Sequence, residues 1–135
     1  MERLNLTEVE FDDSRFYSPG RKYTTVLWSD VIRVAYGYEA HPIAIVDWNF
    51  WGFQTTNSGI MMQVEIGSIS TMRFSDEIER RFGNPNIPSM KDWTDSDYNI
   101  KTFVIYPKED FGKSLYKVKK RHWWSWSGQL CFAQT

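Results

Sequence analysis

The chain has 135 residues, 41% hydrophobic and 24% charged, with a formal net charge of −1. That length suits one domain able to bury a core without staples, and the near-neutral charge argues against a dedicated nucleic-acid binder. A lone cysteine, Cys131, excludes an internal disulfide.

Met1 to Asn5 lack a basic segment followed by an apolar run, so no signal peptide is expected. No stretch approaches the roughly 18 apolar residues of a membrane-spanning helix, and the cytoplasm is the expected compartment. Leu4 and Leu6 alternate as on a strand, but Val9 and Phe11 have changed phase before the turn residues Asp12, Asp13 and Ser14. Ser18-Pro19-Gly20 is a second turn. Seven Trp, seven Tyr and nine Phe favour strands over helices throughout. Residues 23–27 read as a strand on this ground, and Trp28-Ser29-Asp30 interrupts it.

From residue 31 to 38 the alternation is clean. Ile32, Val34, Tyr36 and Tyr38 share one side, while Arg33, Ala35 and Gly37 share the other. The longest apolar run follows at 43–55, with Ala44, Val46, Trp48 and Phe50 on one face. Ile43, Ile45, Asp47, Asn49, Trp51 and Phe53 lie on the opposite face. The apolar phase therefore changes at Phe50-Trp51 beside Gly52, which predicts a β-bulge or a sharp bend. The alternative is a strand covered on both faces. Thr56 to Gly59 reads as a hairpin connection. Its returning strand, 60–67, places Ile60, Met62, Val64 and Ile66 inward, with Met61, Gln63 and Glu65 outward. Strands 23–27, 31–38, 43–55 and 60–67 together predict a meander.

Phe74, Ile78 and Phe82 recur every fourth residue and predict a helix over 74–83. Ser75 suits its N-cap, while Asp76–Arg80 and Glu77–Arg81 are favourable pairs four residues apart. Gly83 and Pro85 stop it. Residues 84–99 form a long irregular stretch, and 100–106 is a strong strand ended by Pro107. The last segment couples Lys117, Lys119, Lys120, Arg121 and His122 to Trp123, Trp124 and Trp126. It reads as a final strand whose tryptophans complete the core. Contact of 117–126 with nucleic acid or a membrane is the less favoured reading. The expected fold is α+β: a curved antiparallel sheet or partial barrel of about five to seven strands, with one main helix near 75–82. Residues 1–135 form one domain in this reading, with 1–20 and 117–135 at its periphery.

Chemistry-bearing candidates are few. Asp92, Asp95 and Asp97 cluster in the long loop, but the glycine and distal glutamate of an EF-hand are absent, so they read as loop carboxylates and not as a metal site. Asp47 sits mid-strand between Val46 and Trp48, where a buried carboxylate needs a partner; a structural hydrogen bond is the preferred reading over a catalytic acid. His41 and His122 are isolated. Cys131 lacks triad partners and reads as a small core or tail residue. The glycines are scattered, with no phosphate loop, and no cofactor is expected.

The segments Trp28-Ser-Asp-Val-Ile-Arg-Val34, Asp47-Trp-Asn-Phe-Trp-Gly-Phe53 and Arg81-Phe82-Gly83 carry a resemblance over residues 23–106. They resemble small uncharacterised bacterial proteins that combine a Trp-Ser/Thr-Asp turn with a β-meander and a single helix. Some of these are similar to pleckstrin-homology-like sheets, although here a strand follows the helix. The resemblance implies a fold and no particular reaction. The expected function is a non-enzymatic module that binds another protein, or itself, with Trp93 and the carboxylates Asp92, Asp95 and Asp97 as its contact region. A toxin-neutralising immunity-type protein is the more specific form. A small enzyme using Asp47 in an aromatic-lined pocket is the alternative.

Overall fold

The computed structural model describes residues 2–40, 48–56, 59–83, 86–88, 100–120 and 128–134. Among them, the first strands are β1 (Arg3–Leu6), β2 (Glu10–Phe11), β3 (Arg15–Tyr17) and β4 (Val26–Leu27). A 3₁₀ turn at Trp28–Asp30 leads into β5 (Val31–Glu39), β6 (Trp48–Thr55) and β7 (Met61–Glu65). Helix α1 (Met72–Phe82), β8 (Ile100–Tyr106), β9 (Tyr116–Lys120) and β10 (Gly128–Phe132) complete the order. The architecture is α+β, with one α-helix and open sheets among the described residues.

The main sheet has the order β1-β7-β6-β5-β8. Strands β5, β6 and β7 are antiparallel neighbours, as the alternation from residue 31 predicts. The predicted meander loses its first strand, however. β4 belongs to a separate three-stranded sheet with β2 and β3, because Arg15 and Phe16 pair with Leu27 and Val26. β8 takes the place beside β5 that β4 leaves, while β1 lies at the opposite edge and runs parallel to β7, with Arg3 opposite Met61 and Leu6 opposite Val64.

No bulge occurs at Phe50-Trp51. Pairing of β6 is continuous from Trp48 to Gln54 against β5, and from Phe50 to Phe53 against β7. The phase change has the other cause: β6 is covered on both faces, and Phe50, Trp51 and Phe53 are 0%, 3% and 0% exposed. Trp51 and Phe53 join a core with Leu6, Phe16, Val34, Phe74 and Ile78, under α1 and the small sheet. Phe50 joins a second core with Ala35, Val104, Leu115, Tyr116, Leu130 and Phe132, under the β9–β10 hairpin. Burial on both faces makes a strand read as a continuous apolar run. The register shifts fall in β5 instead, between Val31 and Arg33 against β6 and between Val34 and Ala35 against β8.

Double coverage also corrects β7. Met61 and Gln63, expected to face outward, are buried. In the two terminal segments, Leu6, Phe16, Leu130 and Phe132 are buried. Space on the hairpin side comes from small residues. A Cβ added to Gly37 would lie 2.2 Å from the Phe50 ring, and one on Gly52 would lie 2.9 Å from a Leu115 methyl.

Helix α1 begins at Met72, not at Phe74, because a 3₁₀ turn over Ile69–Thr71 runs into it. Ser75 is therefore an interior residue. Its hydroxyl lies 3.1 Å from the Trp51 indole nitrogen and accepts that hydrogen bond rather than capping the helix. The apolar stripe holds, with Phe74 and Ile78 buried and Phe82 packed against the same core. Gly83, at φ 96°, returns its N–H to the Glu79 carbonyl. Glu77 pairs with Arg81 as expected (3.6 Å), and also with Arg80 one turn position nearer.

Candidate functional site

Asp47, Asp92, Trp93, Asp95 and Asp97 lie outside the described residues, as do His41, His122 and the three tail tryptophans. Of the basic tail, Lys117 and Lys119 are exposed on β9. Cys131 lies on β10, partly buried, with its thiol 3.6 Å from the Lys117 carbonyl. The surfaces available for function must be built from other residues.

The Ser18–Thr24 loop is the starting point. Gly20 takes φ 76°, and the Arg21 N–H returns to the Ser18 carbonyl at 3.2 Å. Thr24, fully buried, closes the loop from inside: its hydroxyl accepts the Ser18 N–H at 3.0 Å and donates to the Arg21 carbonyl at 3.1 Å. Between these ties Tyr23 is forced to φ 64°. A bulky residue in the left-handed region costs about 1–2 kcal/mol. Its ring recovers little by packing, because Tyr23 is 91% exposed.

Tyr23 stands at the mouth of a groove of about 390 Å³. Val26 and Leu27 form one bank with Thr25, while Ile60, Met62 and Thr55 form the other. Leu27 is 44% exposed despite its place on β4. Asp30 lines the same groove. Its carbonyl accepts the Thr56 N–H at 2.9 Å, whereas its carboxylate makes no hydrogen bond or ion pair with the described residues. A partly desolvated carboxylate in that state is receptive to a cation.

A second hollow of about 370 Å³ lies between Val9, Phe11, Ile69 and Arg73. Ile69 is 90% exposed there. Several of the polar groups lining the hollow are already engaged. The Tyr17 hydroxyl donates to Glu10 at 2.9 Å, and Asp12 accepts from the Ser14 N–H and hydroxyl, which hold its pKa below the ordinary carboxylate value. Arg73 lies over the Phe11 ring at 5.9 Å.

A third set of polar groups is partly buried. Arg3 forks onto Glu39 at 2.8 and 3.0 Å and reaches Gln63 at 3.1 Å. Gln63 in turn donates to the Tyr116 hydroxyl at 2.9 Å. Burial pushes the Tyr116 phenol well above its ordinary pKa, so the phenol stays protonated near neutrality, and its bond to Gln63 ties the hairpin to the sheet. Arg33, Asp110 and Lys113 form a comparable tie at the other end. Among the described residues no three His, Cys, Asp or Glu side chains gather as a metal site would require, and no helix is long and apolar enough to cross a membrane.

The groove was hard to foresee. Tyr23 and Leu27 carry strand-favouring side chains, so the 23–27 run reads as buried sheet. The available signal was the turn, which extends past Gly20 to Thr24 and leaves Tyr23 on a loop. Comparisons with protein-family models, with curated proteins and with solved structures each found no match to this chain.

Proposed function

We propose that this protein is a non-enzymatic interaction module that docks another protein against Tyr23 and its groove. The observation that supports this reading is the Tyr23 backbone. An aromatic residue at φ 64° and 91% exposure carries strain without packing in return, and strain of that kind clusters at functional positions. Tyrosine also supplies a rigid, amphipathic contact and is enriched among binding hot spots. The more specific form is a cytoplasmic immunity-type protein that neutralises a toxin, with Trp93, Asp92, Asp95 and Asp97 as a second contact. Self-association is the other form of the same reading.

A photo-cross-linking amino acid placed at position 23, in cells that make the protein, tests this directly. The expected result is a discrete covalent adduct with one other protein, identifiable by mass spectrometry. The same amino acid at Glu79, exposed on α1, should give only background. Equal yields from the two positions would remove the docking role. For the immunity form, the captured partner should arrest growth when expressed alone and be tolerated when this protein is co-expressed.

A further inference from the structure

We infer that the groove takes an arginine-bearing segment of the partner protein, with the arginine held between Tyr23 and Asp30 and a neighbouring apolar side chain seated against Leu27, Ile60 and Met62. This rests on the reading of the Tyr23 groove as a protein-docking surface and adds the chemistry of what enters it.

Two of this chain's own arginines already combine an aromatic ring with a carboxylate. Arg15 lies 4.8 Å over the Tyr17 ring, with the Asp12 carboxylate 3.6 Å from its Nε. Arg81 lies 4.3 Å over the Trp28 ring, with the Glu77 carboxylate 3.6 Å from its Nε. In each case a guanidinium lies over an aromatic ring and within ion-pair distance of a carboxylate. Arginine suits this arrangement because it is planar, weakly hydrated and always charged; lysine offers only a point charge. Tyr23 and Asp30 put the same two components on one groove, and no arginine or lysine is among that groove's lining residues. The Asp30 carboxylate has no partner among the described residues, so an incoming guanidinium displaces none of them.

The apolar bank sets the rest of the occupant. Val26 and Met62 are buried members of its lining, and Leu27 and Ile60 remain accessible. About 390 Å³ accommodates one large aliphatic or aromatic side chain beside the arginine. Acidic segments are disfavoured, since a second carboxylate next to Asp30 has no cation to share.

Fluorescence anisotropy on the full chain tests the proposal with capped octapeptides carrying one Leu or Phe and one Arg at varied spacing. Matched peptides replace Arg with citrulline, which keeps the shape and removes the charge, or with Glu. Arginine peptides should bind about tenfold more tightly than citrulline peptides, and Asp30→Asn should abolish that difference. Asp30→Arg should reverse the preference toward Glu peptides, and Leu27→Asp should weaken all of them. Circular dichroism confirms that each variant is folded. Equal binding of arginine and citrulline peptides, or an Asp30→Asn protein that still discriminates, would overturn the proposal. If cross-linking from position 23 persists in that event, the docking surface stands and only its basic occupant is lost. If both fail, the docking surface fails with it.

Discussion

The guanidinium of Arg81 lies 4.3 Å from the centre of the Trp28 ring and so joins the last turn of α1 to the 3₁₀ turn before β5. One of its terminal nitrogens also reaches the carbonyls of Asp12 and Asp13, each at 3.3 Å, while the Trp28 indole donates to Asp12 at 2.9 Å. Three chain segments meet at this pair. Arg81→Ala should therefore destabilise the fold by about 1–2 kcal/mol. Arg81→Lys should recover less than half of that, because lysine cannot stack and fork at once. Urea denaturation measures both; a change within about 0.3 kcal/mol for the alanine variant would show that the stack is idle.

Gly37 is constrained by the Phe50 ring. Gly37→Ala places a methyl group 2.2 Å from Phe50 Cζ, an overlap that the covered face cannot relieve by moving outward. A loss of about 3 kcal/mol is expected. Phe50→Leu alone should also destabilise, but the two changes together should be less harmful than their sum, since the smaller side chain makes room. A double-mutant cycle detects that coupling; strict additivity would mean that the ring is not what excludes the methyl.

Tyr116 and Gln63 are a matched pair in the hairpin-side core. Tyr116→Phe leaves the Gln63 amide without its acceptor and should cost about 1–2 kcal/mol. Gln63→Leu strands the phenol in the same way, and the double variant should recover part of the loss. The phenol also shapes the alkaline limb. Its pKa is raised in the folded state by burial, so its contribution is complete below about pH 10 and is lost as pH rises above that. Tyr116→Phe should flatten the decline of stability at high pH, and an unchanged alkaline limb would contradict this assignment.

Asp110 governs the acid side. Hydrogen bonds first from Lys113 and then from Arg33 hold its carboxyl below the ordinary value. The folded state therefore prefers the ionised form. The stability this provides is present above about pH 4 and is lost as pH falls through and below that value. Asp110→Asn should lower the midpoint of thermal unfolding at neutral pH, and the gap to the native protein should close toward pH 2. A gap independent of pH would assign the effect to packing.

Tyr23 separates stability from binding. Tyr23→Asn places a residue tolerant of positive φ at a strained, exposed position and should be neutral or stabilising by up to about 1 kcal/mol. The same substitution should weaken binding of the cross-linked partner by about tenfold or more. Calorimetric titration beside thermal unfolding reads both. A variant that loses stability and keeps affinity would make Tyr23 a structural residue.

How legible these features were in the sequence depended on how local their causes are. The alternation of Val34, Tyr36 and Tyr38 in β5 and the Phe74-Ile78-Phe82 stripe are set by neighbours a few residues away and appear where the pattern places them, whereas the register shift after Val31 puts Val31 and not Ile32 in the core. β6 was ambiguous because its two apolar faces serve two cores, and periodicity cannot distinguish double coverage from a bend. β1 to β4 are short, and their partners are chosen by distant segments: β1 by β7, and β4 by β3. Ser75 resembles a cap until Trp51, distant in sequence, claims its hydroxyl. The carboxylates expected to form the site, Asp47, Asp92, Asp95 and Asp97, lie outside the described residues. Asp30 was visible only as part of a turn, because an unpartnered carboxylate is a property of surroundings and not of spacing.

The parallel pairing of β1 with β7 has a consequence for synthesis. Arg3 to Leu6 leave the ribosome well before Met61 to Val64, the residues whose backbone groups they bind. Until β7 has emerged, the first strand has no template, and Leu6 has no core to enter. A chaperone that recognises short apolar segments would find Leu4 and Leu6 accessible through that interval. That edge of the main sheet is thus closed by a segment older than every strand beside it, which must wait while younger strands assemble the surface it will cover.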